Sequence, residues 1–516
     1  MTMDLIPIAV GGRIPTNFTT TGNWVQNCWS KHKVGRGGAT SIAPVYVNGL
    51  IATNTEYNQT FYDFIFNGGL YIPKLDRFYQ FTFNGGVPNP LVSRAWGMAV
   101  ADEIMVDLEP GDEFYLTNRR IAADLGAAGS YNVLVSTGGQ TFRQDGIITG
   151  TDATKDYTLG VGVAYGARLL DSPDINDTTG AISAIRINPD YKGHNYTAGW
   201  SVSAYYGIAG TTGAAKDAPG SGLSCYGNSS GGFASSVTLL DGGSRHKSMY
   251  PPRMFLGGSG TAGSGFGTAT ASFGPALIMG RPKYRVPGAL IIGDSWNAYG
   301  SIDTAGGLHQ QYGLMERALS LRGVGCGNIS VSGESGTGFN TTSTKVKAVY
   351  AYLQEQYDLK IDNVFVMLGV NDFNSNNNSD VIAFTQSNIR QIVDYSRRTL
   401  KAKAFIQTIP PFTTSSDAYV TYANQTAGLV SGASTNYALA GRVEQYNTSV
   451  LNRTIDCDGV VDVGRALRGL GGANHLYNPN FHGGTVASTS DGIHHNLTVG
   501  LPVNLRDIRL PQLYIG

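Results

Sequence analysis

Charge is scarce in this sequence. Lys, Arg, Asp and Glu make up 14% of 516 residues, and 37 basic side chains balance 37 acidic ones. A chain with no net charge lacks the electrostatic footprint of a nucleic-acid binder or of a protein held on an anionic membrane. Cysteine is scarcer still. Cys28, Cys225, Cys326 and Cys457 lie too far apart for a metal knuckle or a Cys-x-x-Cys redox pair, and are expected as buried apolar groups. No eighteen apolar residues run together, and the first residues lack a basic stretch followed by an apolar one. The expectation is a soluble chain without membrane insertion and without a conventional export signal. Helical periodicity is also missing from most of the first half.

What is abundant is glycine, 69 residues, together with 28 tyrosines and many Asn, Thr and Ser. That balance suits turn-rich β structure meeting water through amides and hydroxyls. The length calls for more than one core, and the pattern divides the chain into an irregular arm over 1–40, a β-rich region over 41–280 and an α/β region over 285–516. Strands are expected at 103–108, 113–117, 131–136, 181–187 and 199–206, the spacing of a β-sandwich or jelly roll. Phe64-Ile-Phe-Asn-Gly-Gly69 recurs as Phe81-Thr-Phe-Asn-Gly-Gly86, each read as a strand entering an Asn-Gly turn. The glycine-rich stretch 257–274 reads equally as a linker or as a hairpin.

After Pro287 apolar strands alternate with amphipathic helices. Strands are expected at 289–292, 328–331, 363–368, 404–409 and 460–463, and helices at 307–322, 343–357, 381–400 and 437–452. Alternation of this kind predicts a three-layer α/β/α domain on a parallel sheet, whose ligands bind beyond the carboxyl ends of the strands. Three polar turns follow the first three of these strands: Gly293-Asp294-Ser295, Gly333-Glu-Ser-Gly-Thr-Gly338 and Gly369-Val-Asn371-Asp372. Near the end Asp491-Gly-Ile-His494 places a carboxylate and an imidazole three residues apart. Asp294 and Asp372 suit turn-backbone acceptors better than acid–base groups.

With these four blocks in order, 287–506 resembles the SGNH, or GDSL, hydrolase family. The resemblance implies a serine esterase in which Ser295 is the nucleophile, His494 the general base and Asp491 the carboxylate that orients it. It implies an oxyanion hole from the Ser295 and Gly336 N–H groups and the Asn371 side-chain amide, and no cofactor. Gly333 and Gly338 compete with Gly336, which is favoured because Ser-Gly-Thr aligns best with the family's second block. His495 stands where the family usually has proline and is open to a surface reading. Pro502 is expected to interrupt the last helix.

Rival sites are weaker. Gly227-Asn-Ser229-Ser-Gly231 matches a nucleophile elbow, yet lacks the strand-to-helix setting such an elbow needs, so it is read as a loop. His475, His482 and His494 lack metal-motif spacing, and no metal is expected. The segment 470–490 is expected to shape the substrate entrance. Trp296, Tyr299, Phe339 and Phe373 follow the polar turns and are candidates for stacking on sugar rings, with His475 and His482 beside them. A Tyr- and Asn-rich β region joined to such a hydrolase resembles polysaccharide O-deacetylases, including those on bacteriophage tails. The expected partners are therefore an acetylated polysaccharide, other virion proteins and further copies of the chain as a homo-oligomer, with no nucleic acid.

Overall fold

A computed structural model describes residues 3–14, 25–53, 55–57, 63–75, 77–122, 274–298, 313–376, 378–428, 434–465, 467–469, 475–479, 487–496 and 500–510. It also describes isolated residues 473 and 513, the strand Thr19–Thr21, and strands between 133 and 257. The stretch 258–273 lies outside the described residues, as do Tyr299 and His482.

The carboxy-terminal half is built on a six-stranded sheet. Its strands are β1 (Gly12–Arg13), β2 (Ala289–Gly293), β3 (Cys326–Asn328), β4 (Asn363–Met367), β5 (Lys403–Gln407) and β6 (Gly459–Val461), in spatial order β1-β3-β2-β4-β5-β6. Every pairing in it is parallel. Strand β2 is buried throughout, as a continuous apolar run must be when helices cover both faces. The main helices are α1 (Leu314–Leu321), α2 (Gly336–Thr342), α3 (Thr344–Tyr357), α4 (Val370–Ser375), α5 (Val381–Arg398), α6 (Arg442–Leu451) and α7 (Gly500–Asp507). Pro502 sits in the first turn of α7, where its missing N–H costs nothing, so it starts this helix instead of interrupting it. Cys326 and Cys457 are buried free thiols. Among the described residues no helix is long and apolar enough to cross a membrane.

The amino-terminal region forms two larger antiparallel sheets. One carries Ile6–Pro7, Leu277–Gly280, Ala39–Val47, Met98–Val100 and Ile104–Leu108; the other carries Leu91–Val92, Phe64–Ile72, Arg77–Gln80, Glu113–Ala122, Val25–Lys33 and Gly146–Gly150. Period-two alternation divides the first sheet between two cores. Ala43, Val45, Val47, Leu277 and Met279 pack with Leu290 and Ile292 of the carboxy-terminal half. Ile42, Tyr46 and Ile278 pack with Phe66, Leu70, Phe114 and Leu116 of the second sheet.

Three expectations are corrected here. Residues 5–14 are buried, and the irregular arm does not exist there: β1 is the edge strand of the parallel sheet. Arg13 pairs with Glu316 at 2.8 Å, both buried, and donates to Ala298 O at 2.6 Å. Removing either partner would strand a buried charge, which fixes the segment in place. Nor do the two Asn-Gly-Gly repeats behave alike. Asn84 takes positive φ and leads a turn, whereas Asn67, Gly68 and Gly69 run through the middle of Phe64–Ile72. There the Phe78 ring and the Thr117 carbonyl occupy the space any side chain on Gly69 or Gly68 would need. Gly227 to Ser230 of the Ser229 motif lie in the strand Ser221–Ser230, paired antiparallel with Phe233–Ser244, so a strand stands where a loop was expected; Gly231 lies outside the described residues.

Candidate active site

Strand β2 ends at Gly293, and Ser295 opens a short helix, Ser295–Ala298, at the carboxyl edge of the sheet. The Asp294 carboxylate accepts the Trp296 N–H at 3.1 Å, tightening that turn. From the far end of the chain, His494 Nε2 lies 2.7 Å from Ser295 Oγ, and His494 Nδ1 lies 2.8 Å from Asp491 Oδ2. Asp491 Oδ1 accepts the backbone N–H groups of Ile493 and His494, each at 2.8 Å. Thr489 Oγ1 donates to His494 O at 2.6 Å and accepts the Gly492 N–H at 2.9 Å. Tyr477 donates to Ile493 O at 2.7 Å. Gly492 has φ of 73°, with Thr413 O and the Tyr419 hydroxyl against it. A side chain there would be both strained and crowded. Sequence reasoning missed Thr489 and Tyr477, whose roles show only once the loop is closed.

Burial disfavours ionised Asp491, but the His494 side chain and the two backbone donors outweigh it and hold the carboxyl at about 2. Asp294 behaves oppositely. Full burial, with the charges of Asp372 and Glu334 nearby, pushes it up to about 7. In the unfolded chain it would ionise near 3.8. Between those values the fold retains a proton that the unfolded chain has lost, so the contribution of this group to stability declines as pH rises from about 4 to 7. Asp294→Asn keeps an acceptor for the Trp296 N–H and is expected to flatten that decline by roughly 2–4 kcal/mol. Urea unfolding at pH 5 and pH 8 checks this; an equal decline in the variant would move its origin elsewhere.

The second and third turns meet through Asn371 and Asp372. Asn371 Nδ2 donates to Glu334 O at 2.8 Å, which leaves its second amide hydrogen unused by that bond. Asp372 Oδ2 accepts the Gly336 N–H at 2.8 Å, and burial raises the Asp372 pKa while the N–H groups of Gly336 and Thr337 oppose that rise. This corrects the assignment of Gly336 to an oxyanion hole: its N–H is spent on a carboxylate that caps α2. Gly338 is engaged as well, donating to the N-cap Ser335 Oγ at 3.0 Å. Among the described residues no hydrogen bond engages the backbone N–H groups of Gly333, which has φ of 80°, and of Ser295.

The aromatic candidates are corrected too. Trp296, Phe339 and Phe373 are buried to within 2% of full coverage. Trp296 backs the His494 loop, with its ring 4.8 Å from that of His495 in an edge-on contact. Phe339 packs edge-on against Tyr395, and Phe373 against Tyr446. They are core side chains and offer no ring face to a ligand. His495 is likewise buried, at 4% exposure, and its surface reading fails. His475 stands apart from the triad. It lines a cavity of about 390 Å³ with Pro410, Pro411, Glu444, Thr448 and Arg465, beyond the carboxyl ends of β5 and β6. Burial lowers the His475 pKa. Among the described residues no cluster of His, Cys, Asp or Glu could hold a metal ion.

No family model matches the sequence, and neither does any curated protein. Solved structures give distant likenesses. A GDSL-like lipase from Bacteroides thetaiotaomicron is 14% identical over 42% of this chain and 83% of its own, with TM-score 0.26. A protein from Streptococcus pneumoniae described as a putative platelet activating factor is 16% identical over 43% and 81%, with TM-score 0.27. A family two carbohydrate esterase from Clostridium thermocellum, solved with cellohexaose, is 10% identical over 87% and 86%, with TM-score 0.25. At such scores none of these likenesses fixes an activity for this chain.

Proposed function

We propose that this protein is a serine esterase that removes O-acetyl groups from a carbohydrate, with Ser295 as nucleophile, His494 as general base and Asp491 orienting the imidazole. The observation that carries the reading is the continuous line from Asp491 Oδ2 through His494 to Ser295 Oγ, at 2.8 and 2.7 Å. A serine hydroxyl is a weak nucleophile at neutral pH, and an imidazole bonded to it can take its proton during attack on the acyl carbon. The same imidazole then returns the proton to the leaving alcohol, and water repeats the sequence on the acyl-enzyme. The oxyanion would be met by the Ser295 N–H, the Gly333 N–H and the second amide hydrogen of Asn371. These are neutral donors with no solvation to lose at the moment of reaction.

A carbohydrate substrate is favoured by analogy of architecture, a Tyr- and Asn-rich β region joined to such a hydrolase. The cavity at His475 takes no part in that argument, being lined by Ile409, Pro410, Pro411, Val443 and Leu451 as well as by Arg465, Glu444 and Thr448, and by no triad residue. The two antiparallel sheets with their shared core then read as a β-sandwich packed beside the catalytic domain. The test has two parts: labelling of Ser295 by a fluorophosphonate, and release of acetate from acetylated xylan or an acetylated bacterial polysaccharide compared with hydrolysis of nitrophenyl esters of two to twelve carbons. Labelling with preference for acetate is expected. Preference for long chains would make it a lipid acyl esterase, and absence of labelling would leave a binding module on a hydrolase fold.

A further inference from the structure

The turn that carries Gly333 is held from outside the catalytic half. Leu50–Ala52 and Thr55–Tyr57 form a hairpin in the amino-terminal region, and Thr53 lies between its strands. Thr53 Oγ1 donates to Ser332 O at 2.7 Å. A Cβ on Gly333 would come within 2.9 Å of both Thr53 Cγ2 and Oγ1, so the threonine side chain occupies the space beside the glycine. Three residues on, Glu56 accepts from Val346 N at 2.7 Å, Lys345 N at 2.8 Å and Thr344 Oγ1 at 3.2 Å. Those groups open α3, whose own N-cap residue Ser343 makes no side-chain cap. A carboxylate 290 residues away in sequence thus satisfies the first orphan donors of that helix. The hairpin grips the segment 332–346 at both ends.

The bond to Ser332 O bears directly on the site, because Ser332 C=O and Gly333 N–H belong to one peptide unit. A planar, trans peptide points its carbonyl and its N–H in opposite directions, so fixing one fixes the other. Donation to the carbonyl also polarises the amide and makes its N–H a better donor. We propose that Thr53 is a positioning residue for the oxyanion pocket: through Ser332 O it aims and strengthens the Gly333 N–H. The amino-terminal region thereby takes part in catalysis without touching substrate. This inference rests on the esterase reading above.

The experiment compares the full-length parent, Thr53→Val and Thr53→Ser. Valine keeps the shape and removes the hydroxyl; serine keeps the hydroxyl. The expected result is a fall in kcat of about tenfold for Thr53→Val, with KM and Tm unchanged, an equal weakening of inhibition by a boronic acid that mimics the oxyanion, and recovery in Thr53→Ser. An active parent whose kcat is unchanged in Thr53→Val overturns the role of Thr53 alone. So does a loss that serine fails to restore or that follows a drop in Tm. A parent that neither takes the fluorophosphonate label nor turns over any ester overturns both the role and the esterase reading.

Discussion

Exchanging Ser295 for alanine is expected to lower kcat about 10⁴- to 10⁶-fold, His494→Ala to cost a similar factor, and the double variant to be no worse than either alone. The reason is geometric. Ser295 Oγ and His494 Nε2 are 2.7 Å apart, so in the proposed mechanism nucleophile and base would act as one unit, and removing either would remove the whole of what the pair contributes. Residual turnover would come from substrate binding and the oxyanion donors. Single-turnover acetate release on the three variants decides the matter. Additive losses would mean that the two side chains work in separate steps. Ser295→Ala removes a single oxygen and is expected to leave Tm unchanged, whereas His494→Ala empties the space of an imidazole packed beside Asp491 and Trp296 and is expected to lower Tm.

Asp491→Asn is expected to cost about 10³- to 10⁴-fold in kcat near pH 7 while leaving the fold intact. The direction follows from which oxygen is already engaged. Oδ1 receives two backbone N–H groups at 2.8 Å, so the amide oxygen of an asparagine settles there and its NH₂ faces His494 Nδ1. A donor facing Nδ1 forces the ring proton onto Nε2, where it points at Ser295 Oγ. In that tautomer the imidazole cannot accept the serine proton. Acidification of the parent is a different matter. The Asp491 carboxyl is held at about 2, so its stabilising contribution is present above its unfolded value and is lost only as pH falls through the folded one. The measurement is kcat against pH for both proteins with near-ultraviolet circular dichroism as a check on packing; full activity in Asp491→Asn would remove the carboxylate from the mechanism.

The parts of the site that could be read from sequence are those that sit in short contiguous blocks. Ser295, Asn371 and the Asp491–His494 pair each close a strand or a loop, so strand order alone brings them to one edge. Gly336 was misassigned because 333–338 holds three glycines, and what separates them is the use of each N–H. Asp372 takes one of them from 36 residues away, a contact that block alignment does not encode. Trp296, Phe339 and Phe373 were read outward because they follow polar turns. Each turn is also a helix start, and the first inward position of such a helix belongs to the core. The twin Asn-Gly-Gly segments differ for a similar reason: local turn preference yields where a neighbouring ring and carbonyl fill the glycine side of a strand. Thr53 and Glu56 left no local trace at all, since their contacts bridge 279 and 290 residues.

The burial of residues 5–14 has a consequence for how the chain reaches its native state. Gly11 N–H donates to Glu316 Oε1 across 305 residues of sequence, and β1 completes the sheet beside β3. On a ribosome these residues emerge before the strands that receive them and must wait until that sheet has been made. Such a high contact order predicts slow closure. It also makes β1 the last clasp to fasten, and a protein severed near residue 285 would expose β3 as an unpaired edge open to association with other chains.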